Sequence, residues 1–106
     1  MFDCLEVSLT MLDRVADIEP KVRAKRKSLA DQLGRAAESV SLLVSEGRER
    51  AGLDKADLYR RAAGSAQELT TALRQARARR CITPEEYAHI DELLDRVRAM
   101  LWRLTH

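Results

Sequence analysis

Apolar residues recur along this chain at helical spacing, and the pattern breaks in only a few places. Leu5, Leu9, Leu12 and Ala16 form a first stripe that ends near Ile18-Glu19-Pro20. Proline disfavours helical geometry in the residue before it, so a first helix over about 4–18 is expected to stop there. Ser28 is placed to cap a second helix, about 28–47, with the apolar face Leu29, Leu33, Ala36, Ala37, Val40, Leu43 and Val44. Gly47 or Gly52 can end that helix through a left-handed residue. Asp54 is expected to cap a third helix, about 54–80, whose inward face is Leu58, Ala62, Ser65, Leu69, Leu73 and Ala76. Thr83-Pro84-Glu85-Glu86 is the strongest start signal in the chain. The threonine caps, the proline takes the first helical position and Glu86 completes a capping box. A fourth helix over about 84–104 then carries Tyr87, Ile90, Leu93, Leu94, Val97, Met100, Leu101 and Leu104.

Short connections make successive helices antiparallel, so the pattern predicts an all-α fold, an antiparallel up-down-up-down four-helix bundle. At 106 residues it forms a single domain, 1–106, because halving it would leave pieces too small to bury a useful core. Aromatic residues make up only 4% of the chain, with four Gly and two Pro, which argues against a turn-rich sandwich or barrel. Small residues on the inner faces of helices two and three would let their axes approach closely, and Gly64-Ser65 fits that explanation.

More apolar surface is present than one bundle needs. Cys4, Val7, Met11, Val15 and Ile18 form a second stripe on helix one, well rotated from the leucine face, and Leu42 and Trp102 point away from the main faces of their helices. The ordinary reading is a broad core face with scattered exposed apolar residues. A whole stripe plus an off-face tryptophan favours a homo-oligomer seam built from Cys4, Val7, Met11, Val15, Ile18 and Trp102.

The net charge of +2 demands no polyanionic partner, so any such partner must be argued from where the charges sit. Lys21, Arg23, Lys25, Arg26 and Lys27 crowd the expected connection after helix one, and Arg77, Arg79 and Arg80 close helix three. In an up-down-up-down bundle these two segments meet at one end, where Asp17, Glu19, Asp31, Glu85 and Glu86 dilute but do not cancel them. Basic residues in a last turn offset the helix dipole, and a basic linker can simply be solvated. The alternative is a nucleic-acid-binding pole whose lysines and arginines displace counterions from phosphates. No aromatic residue interleaves with them, so base stacking is not predicted.

Catalytic chemistry is mostly missing, and the chain is read as no enzyme. There is no Gly-rich phosphate loop and no recognisable nucleophile motif. Glu86-Tyr87-Ala88-His89 has the Glu-x-x-His spacing of carboxylate-bridged metal bundles, but the second motif is lacking, so no metal and no cofactor is expected. Cys4 and Cys81 are too few for a disulfide framework and are read as buried, reduced thiols. The acidic start of the chain lacks a signal-peptide layout and no run is long enough to span a membrane, so a cytoplasmic location is expected.

Five segments follow one another in the chain: Gln32-Leu33-Gly34-Arg35-Ala36-Ala37-Glu38-Ser39, Ser45-Glu46-Gly47, Ala63-Gly64-Ser65-Ala66-Gln67-Glu68-Leu69, Ile82-Thr83-Pro84-Glu85-Glu86-Tyr87 and Arg98-Ala99-Met100-Leu101. In series they resemble the four-helix-bundle proteins encoded by intervening sequences of large-subunit (23S) ribosomal RNA genes. Their order and spacing agree over roughly residues 28–104. By this measure the chain resembles a divergent member. Ser41 stands where the family shows a proline, and Leu43-Val44-Ser45-Glu46-Gly47 replaces an Asn-Ile-Ala-Glu-Gly run. The resemblance implies a ring-shaped homopentamer. It also extends to the accessory variability proteins of diversity-generating retroelements, which implies RNA or DNA, or a reverse-transcriptase-like enzyme, as partner. The resulting expectation is a non-enzymatic homo-oligomeric adaptor, with a pure protein-interaction scaffold as its rival.

Overall fold

The computed structural model describes residues 3–106, which form α1 (Cys4–Lys25), α2 (Lys27–Arg48), α3 (Gly52–Ala78) and α4 (Pro84–Thr105). Each helix packs antiparallel on its neighbours in the order α1, α2, α3, α4, and α4 closes back on α1. The resulting up-down-up-down bundle measures 43 × 25 × 19 Å. Its centre is filled by Met11, Val15 and Val22 from α1, Leu33 and Val40 from α2, Leu69 and Leu73 from α3, and Ile90, Leu94 and Leu101 from α4.

The expected stop at Pro20 is overturned. α1 runs through it to Lys25. Proline removes one backbone donor and crowds the carbonyl four residues earlier, that of Ala16. Pro20 and Ala16 both lie on the exposed side, where water can satisfy that carbonyl, while Val22 extends the buried row beyond the proline. Burial of that extra turn outweighs the lost hydrogen bond.

The same extension reverses the reading of the two stripes on α1. Cys4, Val7, Met11, Val15 and Ile18, expected at an oligomer seam, are buried inside their own bundle. Leu5 and Leu12 sit at the edge of the core and Leu9 is exposed. The reason is length. The row from Cys4 continues through Val22 along the whole 22-residue helix, whereas the row from Leu5 gives way after Ala16 to Glu19, Pro20 and Arg23. A long helix buries the row that lasts.

The connections also differ from expectation. Only Arg26, in an extended conformation, separates α1 from α2; its N–H donates to the Val22 carbonyl at 2.7 Å and its own carbonyl accepts from the Ala30 N–H. The basic segment is therefore helical on both sides of a single-residue joint. Ser28 lies within the first turn of α2 and caps nothing. Gly47 is buried inside α2, so it does not end the helix. Gly52 does adopt the left-handed region (φ 63°), but as the first residue of α3, which leaves Asp54 in the first turn rather than at the cap.

α3 ends at Ala78, two residues short of expectation, in a Schellman turn. Arg80 takes the left-handed conformation (φ 60°), the Cys81 N–H donates to the Ala76 carbonyl at 2.9 Å and the Arg80 N–H to the Arg77 carbonyl at 3.0 Å. The capping box at Thr83 forms as expected: the Glu86 N–H donates to Thr83 Oγ1 and Glu86 Oε1 accepts from the Thr83 N–H.

Helices α2 and α3 approach closely over buried alanines, and Ser39 Oγ and Ser65 Oγ lie 2.8 Å apart across them. Gly64 plays no part in this approach. It faces solvent, and a Cβ there would meet nothing within 4 Å. The packing glycines are Gly47, where a Cβ would come within 2.6 Å of the Tyr59 ring, and Gly34, where one would come within 2.8 Å of Glu19 Oε1.

Candidate nucleic-acid interface at the cationic pole

The topology brings the end of α1, the start of α2, the end of α3 and the start of α4 to one end of the bundle. Contact between the two basic segments is direct, because Lys25 Nζ donates to the Arg80 carbonyl at 2.8 Å. All the cations expected to meet at this pole do meet there, but they divide into two groups by what they touch.

Lys21, Arg23, Lys25 and Arg77 hold the pole together. Lys21 Nζ pairs with Glu86 Oε1 at 2.6 Å, tying α1 to the start of α4. Arg23 pairs with Asp31 at 2.9 Å across the α1–α2 joint and reaches Glu19 at 4.0 Å. The Arg77 guanidinium lies 4.3 Å from the centre of the Tyr87 ring, a cation–π contact joining α3 to α4. The second group, Arg26, Lys27, Arg79 and Arg80, makes no side-chain ion pair among the described residues, and all four are exposed. Arg77 and Arg80 border a hollow with Ile82 and Pro84 on one side of the pole, and Arg26 and Arg79 border a cleft between α2 and α3 on the other.

Glu86 illustrates how the local chemistry is used. Its carboxyl is held below the ordinary glutamate range, first by the hydrogen bond from Lys21 and then by the Thr83 backbone N–H. It is thus committed to a cap and an ion pair. His89 is exposed, and no group of three or more potential metal ligands occurs among the described residues. Cys4 and Cys81 are free and buried, and burial, with Asp3 beside it, pushes the Cys4 thiol up to about 11.

Residues 2–103 match the 23S rRNA-intervening sequence protein family. The chain belongs to this family. Among solved structures, a protein of unknown function from the S23 ribosomal protein family of Bacteroides thetaiotaomicron superposes with a TM-score of 0.89 at 18% identity, covering 97% of this chain and 98% of that one. That likeness establishes a shared fold. No curated protein matches.

Among the described residues of this family member, the large apolar side chains left exposed are Leu9, Leu42, Leu53, Leu104 and Trp102. Trp102 alone of the expected seam stays outside; it is 61% exposed and stacks on His106 with ring centres 4.5 Å apart. Among the described residues no helix is long and apolar enough to cross a membrane. Two features of the pole escaped the reading of the sequence. The left-handed conformation of Arg80 leaves no mark in a run of arginines, where a glycine would have announced it. Nor does periodicity show that Gln32 and Gln75 flank the Arg26–Arg79 cleft, since both are merely polar positions on separate helices.

Proposed function

We propose that this chain is a non-enzymatic, homo-oligomeric adaptor that holds nucleic acid, or an enzyme that handles it, by phosphate contacts at the cationic pole. The observation carrying this reading is Arg80. A residue with a side chain in the left-handed conformation costs about 1–2 kcal/mol, and glycine is the usual occupant of this place in a Schellman turn. Here an arginine takes it, exposed and without an ion partner among the described residues, beside Arg79 and above the Lys25 that bonds its carbonyl. Strain retained at a surface cation supports a binding role, because solubility alone needs no charge at a strained position.

Arg26, Lys27, Arg79 and Arg80 are the phosphate contacts in this reading, while Lys21, Arg23, Lys25 and Arg77 position them. Self-assembly rests on Leu9 and Leu42 on α1 and α2 and Trp102 on α4, because α2 and α4 are diagonal in the bundle. Apolar side chains on opposite sides suit a head-to-tail contact, the kind that forms a ring when its rotation closes; the family resemblance favours five subunits. A ring would repeat the pole around one face and multiply a field that is weak in a single copy.

The test is light scattering coupled to size exclusion, with a short RNA at low and high salt, on the wild type and on Arg26→Ala/Arg79→Ala/Arg80→Ala. The wild type should run as a discrete oligomer and take up RNA only at low salt. Each lost phosphate contact should flatten the dependence of log affinity on log salt by about 0.9 for duplex and about 0.7 for single strands. An oligomer indifferent to RNA would leave the protein-scaffold reading in its place.

A further inference from the structure

Two adjoining hollows form a groove between α2 and α3 that leads down from the cationic pole. Its upper part, about 330 Å³, lies between Arg26 and Arg79 and is flanked by Gln32 and Gln75. Its lower part, about 490 Å³, is flanked by the same two glutamines and continues past Gln67 and Thr71 to Arg35 and Glu68. The shared glutamines set the two hollows end to end along the α2–α3 furrow. The furrow is deep because Ala72, buried at its floor, stands where a larger side chain would fill it.

From this groove we infer that the chain accommodates a single strand of nucleic acid, with phosphates at Arg26 and Arg79 and base edges against the glutamine amides. The inference rests on the nucleic-acid reading of the pole and adds where the strand lies and how it is contacted. Packed helix axes stand about 8–10 Å apart, so the furrow between them admits one strand and excludes a duplex. From Gln67 to Arg79 the helix rises about 18 Å, room for a few nucleotides. The amide side chains of Gln32, Gln67 and Gln75 make no hydrogen bond to any other described residue, and each offers donors and an acceptor to base edges. Glu68, the carboxylate of the lower part, repels phosphate but accepts from the exocyclic amine of cytosine or adenine. The charged residues of the upper part, Arg26 and Arg79, are both cations, whereas the lower part sets Arg35 beside Glu68, so phosphate is favoured most strongly at the pole.

The test is fluorescence anisotropy of labelled twelve-nucleotide RNA and DNA homopolymers and a duplex of the same length. The full-length wild type is compared with Gln32→Ala/Gln75→Ala and with Gln75→Glu. These exposed helical positions tolerate alanine, and circular dichroism checks that the bundle is intact. Single-strand affinity should fall about 5- to 10-fold in both variants, and in Gln75→Glu the loss should be smaller for C and A runs than for U, which has no exocyclic amine to donate to a carboxylate. Duplex affinity and the salt slope of the double-alanine variant should stay at wild-type values, because amides release no counterions. Wild-type binding that persists unchanged in the glutamine variants, yet falls in Arg26→Ala/Arg79→Ala/Arg80→Ala, would overturn the groove and leave the pole standing. Failure of the wild type to bind any of the oligonucleotides would overturn both.

Discussion

The two ends of this bundle are built on opposite terms. At the cationic end, turns are fixed by directional bonds: the Schellman turn at Arg80, the capping box at Thr83 and the Lys21–Glu86 and Arg23–Asp31 pairs. At the other end, packing carries more of the order, beside the Asp3 side chain that caps α1 by accepting from the Glu6 N–H. Tyr59 is buried against Gly47, the tip of α1 lies over a hollow of about 300 Å³ bordered by Cys4, Val44, Tyr59 and Met100, and Arg48 pairs with Asp3 at 3.3 Å. Directional bonds leave side chains such as Arg79 free for another task, whereas packing commits every side chain it uses. The end held by bonds is the one able to carry a site.

The largest expected effect falls on the packed end. Gly47→Ala would drive a methyl into the Tyr59 ring and should destabilise the protein by about 1–3 kcal/mol, read as a lower Tm, with polyanion binding untouched. Arg80→Gly should do the reverse at the bonded end. It relieves the left-handed strain and should stabilise the fold by about 1 kcal/mol while weakening polyanion binding. An Arg80→Gly variant that is both less stable and binds as before would break the contrast between the ends. Thr83→Ala removes the cap of α4 and should cost about 1 kcal/mol in urea unfolding.

The smallest effect is a pH dependence. Because the folded-state pKa of Glu86 is depressed, its contribution is present at neutral pH and is lost as pH falls from the ordinary glutamate range through the depressed value. Wild type should therefore exceed Glu86→Gln in stability at pH 7, and the gap should close in acid. The Lys21–Glu86 pair is partly exposed, so the gap should stay below about 1 kcal/mol.

How much of this was legible in the sequence depends on the kind of signal each residue carries. The bundle and most of the buried rows of α2, α3 and α4 follow from spacing, though Leu104, read with the α4 row, is exposed, and Thr83-Pro84-Glu85-Glu86 declared its cap because those side chains have one good use in that order. Helix α1 was misread because Pro20 carries a strong local preference that tertiary burial of Val22 overrides, and the wrong stop then assigned the wrong stripe to the core. Convergence of the basic segments was legible from topology. Their division into structural and free cations was not, since it depends on which carboxylate or ring lies within reach. Gly64 and Gly47 show the same limit: nothing in their neighbours says which one faces a tyrosine.

The single-residue joint at Arg26 also bears on the order of folding. Two 22-residue helices meet across it with almost no loop to close, so α1 and α2 can dock as a hairpin at little entropic cost. Contacts between α1 and α4 must wait for closure of most of the chain. Amides of α1 and α2 should accordingly gain protection early in refolding, and the ring of helices should be sealed by α4 last.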